Sequence, residues 1–177
     1  MSTRQLLFSG FGGQGILFAG KFIAYKGLTD EKQVSWLPSY GPEMRGGTAS
    51  CSVIVSDEPV GSPIVSTPDV LIAMNLPSLD KYEKSVAKGG IIIMDSSLIE
   101  RKVLRDDVTV YAVPATQLAS DNGMPTLANM ILVGKLLKAL DDFSEESVTA
   151  ALKKVISAKR ADMMDINRKA MQIGADY

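Results

Sequence analysis

The sequence predicts an α/β fold, a mainly parallel sheet with helices on both of its faces. Three features lead there: short continuous apolar runs of strand length, longer segments with helical spacing between them, and a glycine-rich turn joining the first run to the first helix. Strands buried on both faces need continuous apolar runs, and their alternation with helices is the mark of parallel crossover units.

The elements follow in order. Leu6-Leu7-Phe8 is a buried-type strand that stops at Gly10. Gly15 to Lys26 carries Ile16, Leu17, Phe18, Phe22, Ile23 and Tyr25 at helical spacing, with Gly27 as the expected stop. Gln33 to Leu37 alternates as a second strand, and Thr48 to Ser56 reads as a longer one. These two are joined without a helix, so an antiparallel or extended excursion is expected there. Val70 to Met74 is a third buried-type strand, followed by a helix over Pro77 to Val86 with Asn75 or Ser78 at its cap. Ile91 to Met94 and Val108 to Val113 complete the strands. Pro125 to Leu140 repeats apolar residues at a 3.6 period, Ser144 opens a further helix, and Arg160 to Ile173 makes the last. The absence of a repeat or a linker predicts one domain over residues 1–177.

Composition excludes several functions. Nineteen Lys plus Arg against twenty Asp plus Glu leave a net charge of −1, with no electrostatic footprint for nucleic acid or an anionic membrane. The apolar runs are too short to span a bilayer, and Met1 to Gln5 leads into a strand without a signal-type core, so a cytoplasmic location is expected. The sequence has no His and a single Cys, Cys51. Imidazole base chemistry is therefore excluded, and so is a Cys₄ iron–sulfur site within the chain. Cys51 sits in an alternating strand and reads as a buried, inert thiol. Asp106-Asp107 and Asp141-Asp142 have no metal-ligand spacing around them and read as turn acids, so no metal site is expected.

Gly10-Phe11-Gly12-Gly13-Gln14-Gly15 fits G-x-G-x-x-G between a strand and a helix, which makes the fold Rossmann-like. Glycines let the backbone approach a ligand, and the first N–H groups of the helix favour an anion such as a phosphate or carboxylate. The alternative is that these glycines only pack the helix against the sheet. A dinucleotide site wants an acidic residue at the end of the second strand, and Trp36-Leu37-Pro38-Ser39 stands there instead.

Ser39-Tyr40-Gly41-Pro42-Glu43-Met44-Arg45-Gly46-Gly47-Thr48 forms a second conspicuous loop. Strand order puts it at the same carboxyl end of the sheet as the glycine loop, where α/β folds bind ligands. Arg45 offers a planar fork of donors suited to carboxylate or phosphate, unless Glu43 occupies it as a local ion pair.

Together, the Phe-Gly-Gly-Gln-Gly and Ser-Tyr-Gly-Pro-Glu-Met-Arg-Gly-Gly-Thr loops resemble those of the gamma subunit of 2-oxoacid:ferredoxin oxidoreductases. Similarity continues through Ser62 to Val65, Pro68 to Asn75 and Pro77 to Asp80, and returns weakly at Asn129-Met130 and Gly134. The form of the second loop looks closer to the 2-oxoglutarate branch than to the pyruvate branch. The resemblance implies a complex that converts a 2-oxoacid and CoA to an acyl-CoA and CO₂ and reduces ferredoxin. Thiamine diphosphate, Mg²⁺ and [4Fe–4S] clusters would then reside in partner subunits: alpha, beta and a ferredoxin-like delta. No catalytic residue is assigned to this chain.

The candidate site for CoA, for substrate or for a partner interface comprises Gly10, Gly12, Gly13, Gln14, Gly15, Ser39, Tyr40, Gly41, Pro42, Glu43, Met44, Arg45, Gly46, Gly47, Thr48 and Asn75. Whether these loops hold CoA or dock on a partner subunit stays open at this level. So do a free-standing nucleotide-binding protein, and a gamma subunit acting with pyruvate, branched-chain 2-oxoacids or indolepyruvate. Met163, Met164 and Met171 fit either the core or an adaptable docking face.

Overall fold

The computed structural model describes residues 2–39 and 48–177. Its elements run β1 (Thr3–Phe11), α1 (Ile16–Thr29), β2 (Gln33–Ser39), β3 (Thr48–Ser56), β4 (Val70–Ala73) and α2 (Leu76–Tyr82), then β5 (Ile91–Asp95), β6 (Thr109–Val113), α3 (Ala115–Asp121), α4 (Ala128–Ala139), α5 (Glu145–Val155) and α6 (Met163–Asp176). The six strands lie in the order β2-β3-β1-β4-β5-β6. β1, β4, β5 and β6 are parallel, while β3 pairs antiparallel with both β1 and β2. The fold is therefore the α/β class that the patterning predicts, and the excursion through β2 and β3 is antiparallel.

Period-two alternation divides the core between the two faces of the sheet. Leu6, Phe8, Val70, Ile72 and Ile93 point to one face, where α1, α4, α5 and α6 pack. Leu7, Leu71, Ala73, Ile92 and Met94 point to the other, covered by Leu79 of α2 with Val86 and Ile99. Both faces carry helix, but the first carries far more. The strands β4 and β5 are buried along nearly their whole length, as their continuous apolar runs require.

Four expectations shift. Gly27 does not end α1, which continues to Thr29. A Cβ at Gly27 would stand 2.9 Å from Val34 Cγ2 and 3.1 Å from a Val55 methyl, so this glycine lets the helix lie close on β2 and β3. The helix ends instead in a Schellman motif: Lys32 N–H donates to Gly27 O (2.9 Å) and Glu31 N–H to Leu28 O (3.1 Å), with Glu31 at φ +60°. The helix expected from Pro125 begins at Ala128, after a turn in which Leu127 N–H donates to Met124 O. The last helix begins at Met163, not Arg160, because a 3-10 turn occupies Ala158–Arg160. Finally, α3 is too short for periodicity to reveal. It is anchored from outside by the buried Asp95 carboxylate, which accepts from Thr116 N–H and Thr116 Oγ1 (2.5 Å).

α4 also ends in a Schellman motif, with Asp141 at φ +53° and Asp142 N–H donating to Leu137 O (2.8 Å). The buried Lys26 ammonium lies 2.7 Å from Asp30 and 2.8 Å from Asp142, and so ties the ends of α1 and α4 together. Ser147 Oγ donates to the other oxygen of Asp30 (2.7 Å), bringing α5 into the same knot. The Asp141-Asp142 pair is thus a helix-end turn, as its composition predicts. No helix among the described residues is long and apolar enough to cross a membrane.

Candidate functional site

β1 is the strand at which the chain's crossovers change direction. Its following helix, α1, covers one face, and α2, which follows the neighbouring parallel strand β4, covers the other. The carboxyl ends of β1 and β4 are therefore the switch point of the sheet, the usual place for a ligand on an open α/β sheet. The glycine loop and Asn75 both sit there.

The loop's glycines separate by function. Gly10 has no room for a side chain: a Cβ would lie 2.6 Å from Gln14 Oε1 and 2.8 Å from Ile16 Cδ1. That space is filled by Gln14, which folds back over the strand end. Its Oε1 accepts from Phe11 N–H (2.6 Å), and its Nε2 donates to Met74 O at the end of β4 (3.2 Å). Gln14 therefore buckles the two strands together and fixes the loop. Gly15 takes φ +75° as the residue before α1, and a Cβ there would meet Asn129 Nδ2 at 2.3 Å. Gly13 is different: it has φ +89° and nothing within 4 Å of a Cβ position, so it faces open space. Gly12 is exposed beside it. α1 begins with no side-chain cap, which leaves its first N–H groups for water or a ligand just beyond this open backbone.

Asn75 closes the other side. It is buried, and its Oδ1 accepts from Ser78 N–H (2.8 Å) as the cap of α2. The remaining Nδ2 is enclosed and has no hydrogen-bond partner among the described residues. The capping role matches the sequence expectation for Asn75. Beneath it, Ser9 Oγ lies 2.9 Å from Ser78 Oγ and 3.2 Å from Ala49 O, a buried polar link between β1, α2 and β3. Ser9 does not stand out in the sequence, since a lone Ser in a strand carries no pattern, whereas Ser78 is the alternative cap expected for α2.

The second loop, Tyr40, Gly41, Pro42, Glu43, Met44, Arg45, Gly46 and Gly47, lies outside the described residues. Its two flanks are described. Thr48 pairs with Phe11, the last residue of β1, and Ser39 pairs with Ser50, two residues along β3. Both flanks therefore leave the sheet at the same rim as the glycine loop. Cys51 lies deeper in β3, its Sγ against Ile16 O (3.5 Å), and burial pushes its thiol up to about 12. The inert-thiol reading is borne out.

The family model for pyruvate ferredoxin/flavodoxin oxidoreductase matches residues 5–177. The chain belongs to this family. Its relatives include the ketoisovalerate oxidoreductase subunit VorA of Methanothermobacter marburgensis, 39% identical over 96% of this chain and 35% of the relative. The chain spans about a third of that relative's length. The 2-oxoglutarate synthase subunit KorC of Methanocaldococcus jannaschii is 37% identical over 84% of this chain and 81% of the relative. Among solved structures, the gamma subunit of a keto/oxoacid ferredoxin oxidoreductase from Geobacter sulfurreducens superposes with a TM-score of 0.82 at 30% identity, over 98% of this chain and 96% of the other. The pyruvate ferredoxin/flavodoxin oxidoreductase family thus bears out the gamma-subunit resemblance carried by the two loops, and its gamma fold is the one described above.

Proposed function

We propose that this chain is the gamma-type domain, over residues 1–177, of a 2-oxoacid:ferredoxin oxidoreductase complex, and that it forms part of the cavity where CoA meets the acyl group. The observation that supports this most is the pairing of Thr48 with Phe11, which brings both loops to one rim. The uncapped start of α1 and the open backbone at Gly13 suit an anionic guest there. Arg45 would supply the charge, and Gly12, Gln14, Ser39, Tyr40 and Thr48 the shape. Gln14 holds its loop from within, which is a positioning role.

With one cysteine and no histidine, the chain would leave electron transfer and carbanion chemistry to its partners. Those partners would be alpha, beta and ferredoxin-like delta subunits carrying thiamine diphosphate, Mg²⁺ and [4Fe–4S] clusters. 2-Oxoglutarate is the proposed substrate, on the form of the second loop and the likeness to a relative named for it. The likeness to a ketoisovalerate relative makes a branched-chain 2-oxoacid the second reading. A cytoplasmic location suits a chain with a single unpaired cysteine.

The experiment is Arg45→Ala in the complex assembled from co-expressed subunits. Loss of one charge-assisted contact of about 1.5–3 kcal/mol should weaken CoA binding by roughly 10–100-fold, with assembly intact. Unchanged CoA affinity in an intact complex discards the assignment, whereas failure to assemble supports the docking role of the loop. Turnover with 2-oxoglutarate, pyruvate and a branched-chain 2-oxoacid, compared side by side, decides the substrate.

A further inference from the structure

β2 is the outermost strand on one side of the sheet, next to β3 alone. The parity of the hydrogen bonds shows which of its groups point away from the sheet. Asp57 N–H donates to Ser2 O (3.3 Å), one step beyond the Thr3–Ser56 pair, so the odd-numbered residues of β3 bond to β1. The bonds on the other side of β1 agree. Gln5 O accepts from Asp69 N–H (2.8 Å) and Ser9 O from Met74 N–H (2.9 Å), which leaves the even-numbered residues of β1 for β3. Ser50, Ser52, Ile54 and Ser56 of β3 therefore bond to their partners in β2, which are Ser39, Leu37, Ser35 and Gln33. Val34, Trp36 and Pro38 turn their main chains outward. This edge offers the N–H groups of Val34 and Trp36 and the carbonyls of all three, since Pro38 has no N–H. No backbone group among the described residues bonds to them.

Edge strands are commonly guarded by charged side chains, and Gln33–Ser39 has none. Leu37 is 42% exposed and Trp36 36%. The side chains of Val34 and Trp36 face α1, and with Lys21, Ala24, Tyr25 and Leu28 they line a cavity of about 260 Å³ at this edge. Its one charged residue, Lys21, lies over the Tyr25 ring (5.9 Å to the centroid). An added strand would meet main-chain groups and an apolar groove together.

The edge is complementary to itself. Trp36 is the middle residue of Gln33–Ser39. A half-turn about an axis through Trp36, perpendicular to the sheet, lays a second copy antiparallel along the full length of the strand. Trp36 then exchanges both of its bonds with its counterpart, and Val34 N–H meets the Pro38 carbonyl on either side. Every outward donor of both copies is used. The N–H that Pro38 lacks would have met only the Val34 carbonyl, near the end of the pairing where water reaches. An axis through Ser35 makes as many bonds, but it sets Ser39 against Glu31, whose left-handed turn (φ +60°) is no strand.

We propose that β2 is a self-association edge, at which two copies of this chain join through antiparallel β2 strands into one continuous sheet. It goes beyond the proposed function, which uses the rim at β1 and β4. The edge belongs wholly to this chain, so the full chain is sufficient for the test.

Sedimentation should show a dimer at about 100 μM chain that dissociates on dilution. In this register Ser35 faces Leu37 of the other copy as a non-hydrogen-bonded pair, with Cα atoms about 4.5 Å apart, within reach of a disulfide. Ser35→Cys chains mixed with Leu37→Cys chains should cross-link on mild oxidation, and neither variant should do so alone. The native Cys51 is buried and adds no background. Val34→Pro removes an outward N–H and none that β3 uses, so it should weaken the dimer roughly 10-fold. A monomer at every concentration overturns the proposal and leaves the edge to a strand of another protein or to water. A dimer whose mixed variants do not cross-link overturns it as well, since another surface then joins the copies. Cross-linking of Ser35→Cys with itself overturns the axis through Trp36. Undiminished dimerisation of folded Val34→Pro counts equally against it. The cross-linking needs no proline variant, so poor folding of Val34→Pro does not spare the proposal. The Arg45→Ala outcome is read on other residues and can fail or hold independently.

Discussion

Cys51 carries the thiol of a nucleophile in a place where it cannot act as one. Burial against Ile16 raises it to about 12, so near pH 8 almost none is thiolate, the form that reacts. Native protein should take up less than about a tenth of an equivalent of a maleimide at pH 8 in the time that denatured protein takes up one. Full labelling of the folded chain would contradict the burial. Glycines divide in the same residue-by-residue way. Gly134 of α4 lies against α6 so closely that a Cβ would come within 1.8 Å of Met171 O, and Gly174 mirrors it against Ile131 O. Alanine in a helix gains about 1 kcal/mol over glycine. Overpacking of two backbones costs typically 1–3 kcal/mol and here has no flexible side chain to yield. With backbone on both sides of the contact the clash wins, and Gly134→Ala should lower stability to denaturant by about 1–2 kcal/mol despite its better propensity.

At the scale of elements, the helix ends decide how the layers meet. Both α1 and α4 finish in Schellman motifs with a non-glycine residue in the left-handed region, Glu31 and Asp141. A left-handed residue bearing a Cβ costs roughly 1 kcal/mol. Glu31→Gly and Asp141→Gly should therefore each raise the unfolding free energy by about 0.5–1 kcal/mol, measured by urea titration. The neighbouring Asp30 and Asp142 should keep their grip on Lys26 in both variants, since that contact is made one residue away. A fall in stability would mean that the side chains of Glu31 and Asp141 do more than the backbone pattern shows. At the opposite rim, the same economy of contacts makes Gln14 a buckle between β1 and β4.

For the whole molecule, the two ends of the sheet differ in kind. The amino-terminal end, near Lys26, closes on itself with paired charges. The carboxyl end, by contrast, keeps an uncapped helix start and the open backbone at Gly13. Charge inventory sets what such a chain can do unaided. Without the four cysteines that a cluster takes, the purified chain should show no reduction of a viologen dye with 2-oxoglutarate and CoA above background, and activity should appear on adding the co-expressed partner chains. Turnover by the chain alone would reject the subunit reading.

Much of this was legible in the residues. Unbroken apolar runs identified the buried strands, the cap of α2 was narrowed to Asn75 or Ser78, of which the fold uses Asn75, and the two loops together indicated the family. Short or borrowed structure was not legible. α3 is held by Asp95, which is distant in sequence, and Gly27 signals a helix end by local rules while serving close packing instead. By itself, then, the sequence determined the α/β class and the lack of redox ligands, because periodicity and composition are local or additive. Tertiary structure alone decided which amides are left half-paired. Whether Asn75, Asn129 or Asn167 has a spare atom depends on what the fold carries to each one: Gly15 reaches Asn129 from 114 positions away, and no pattern along the chain records that meeting.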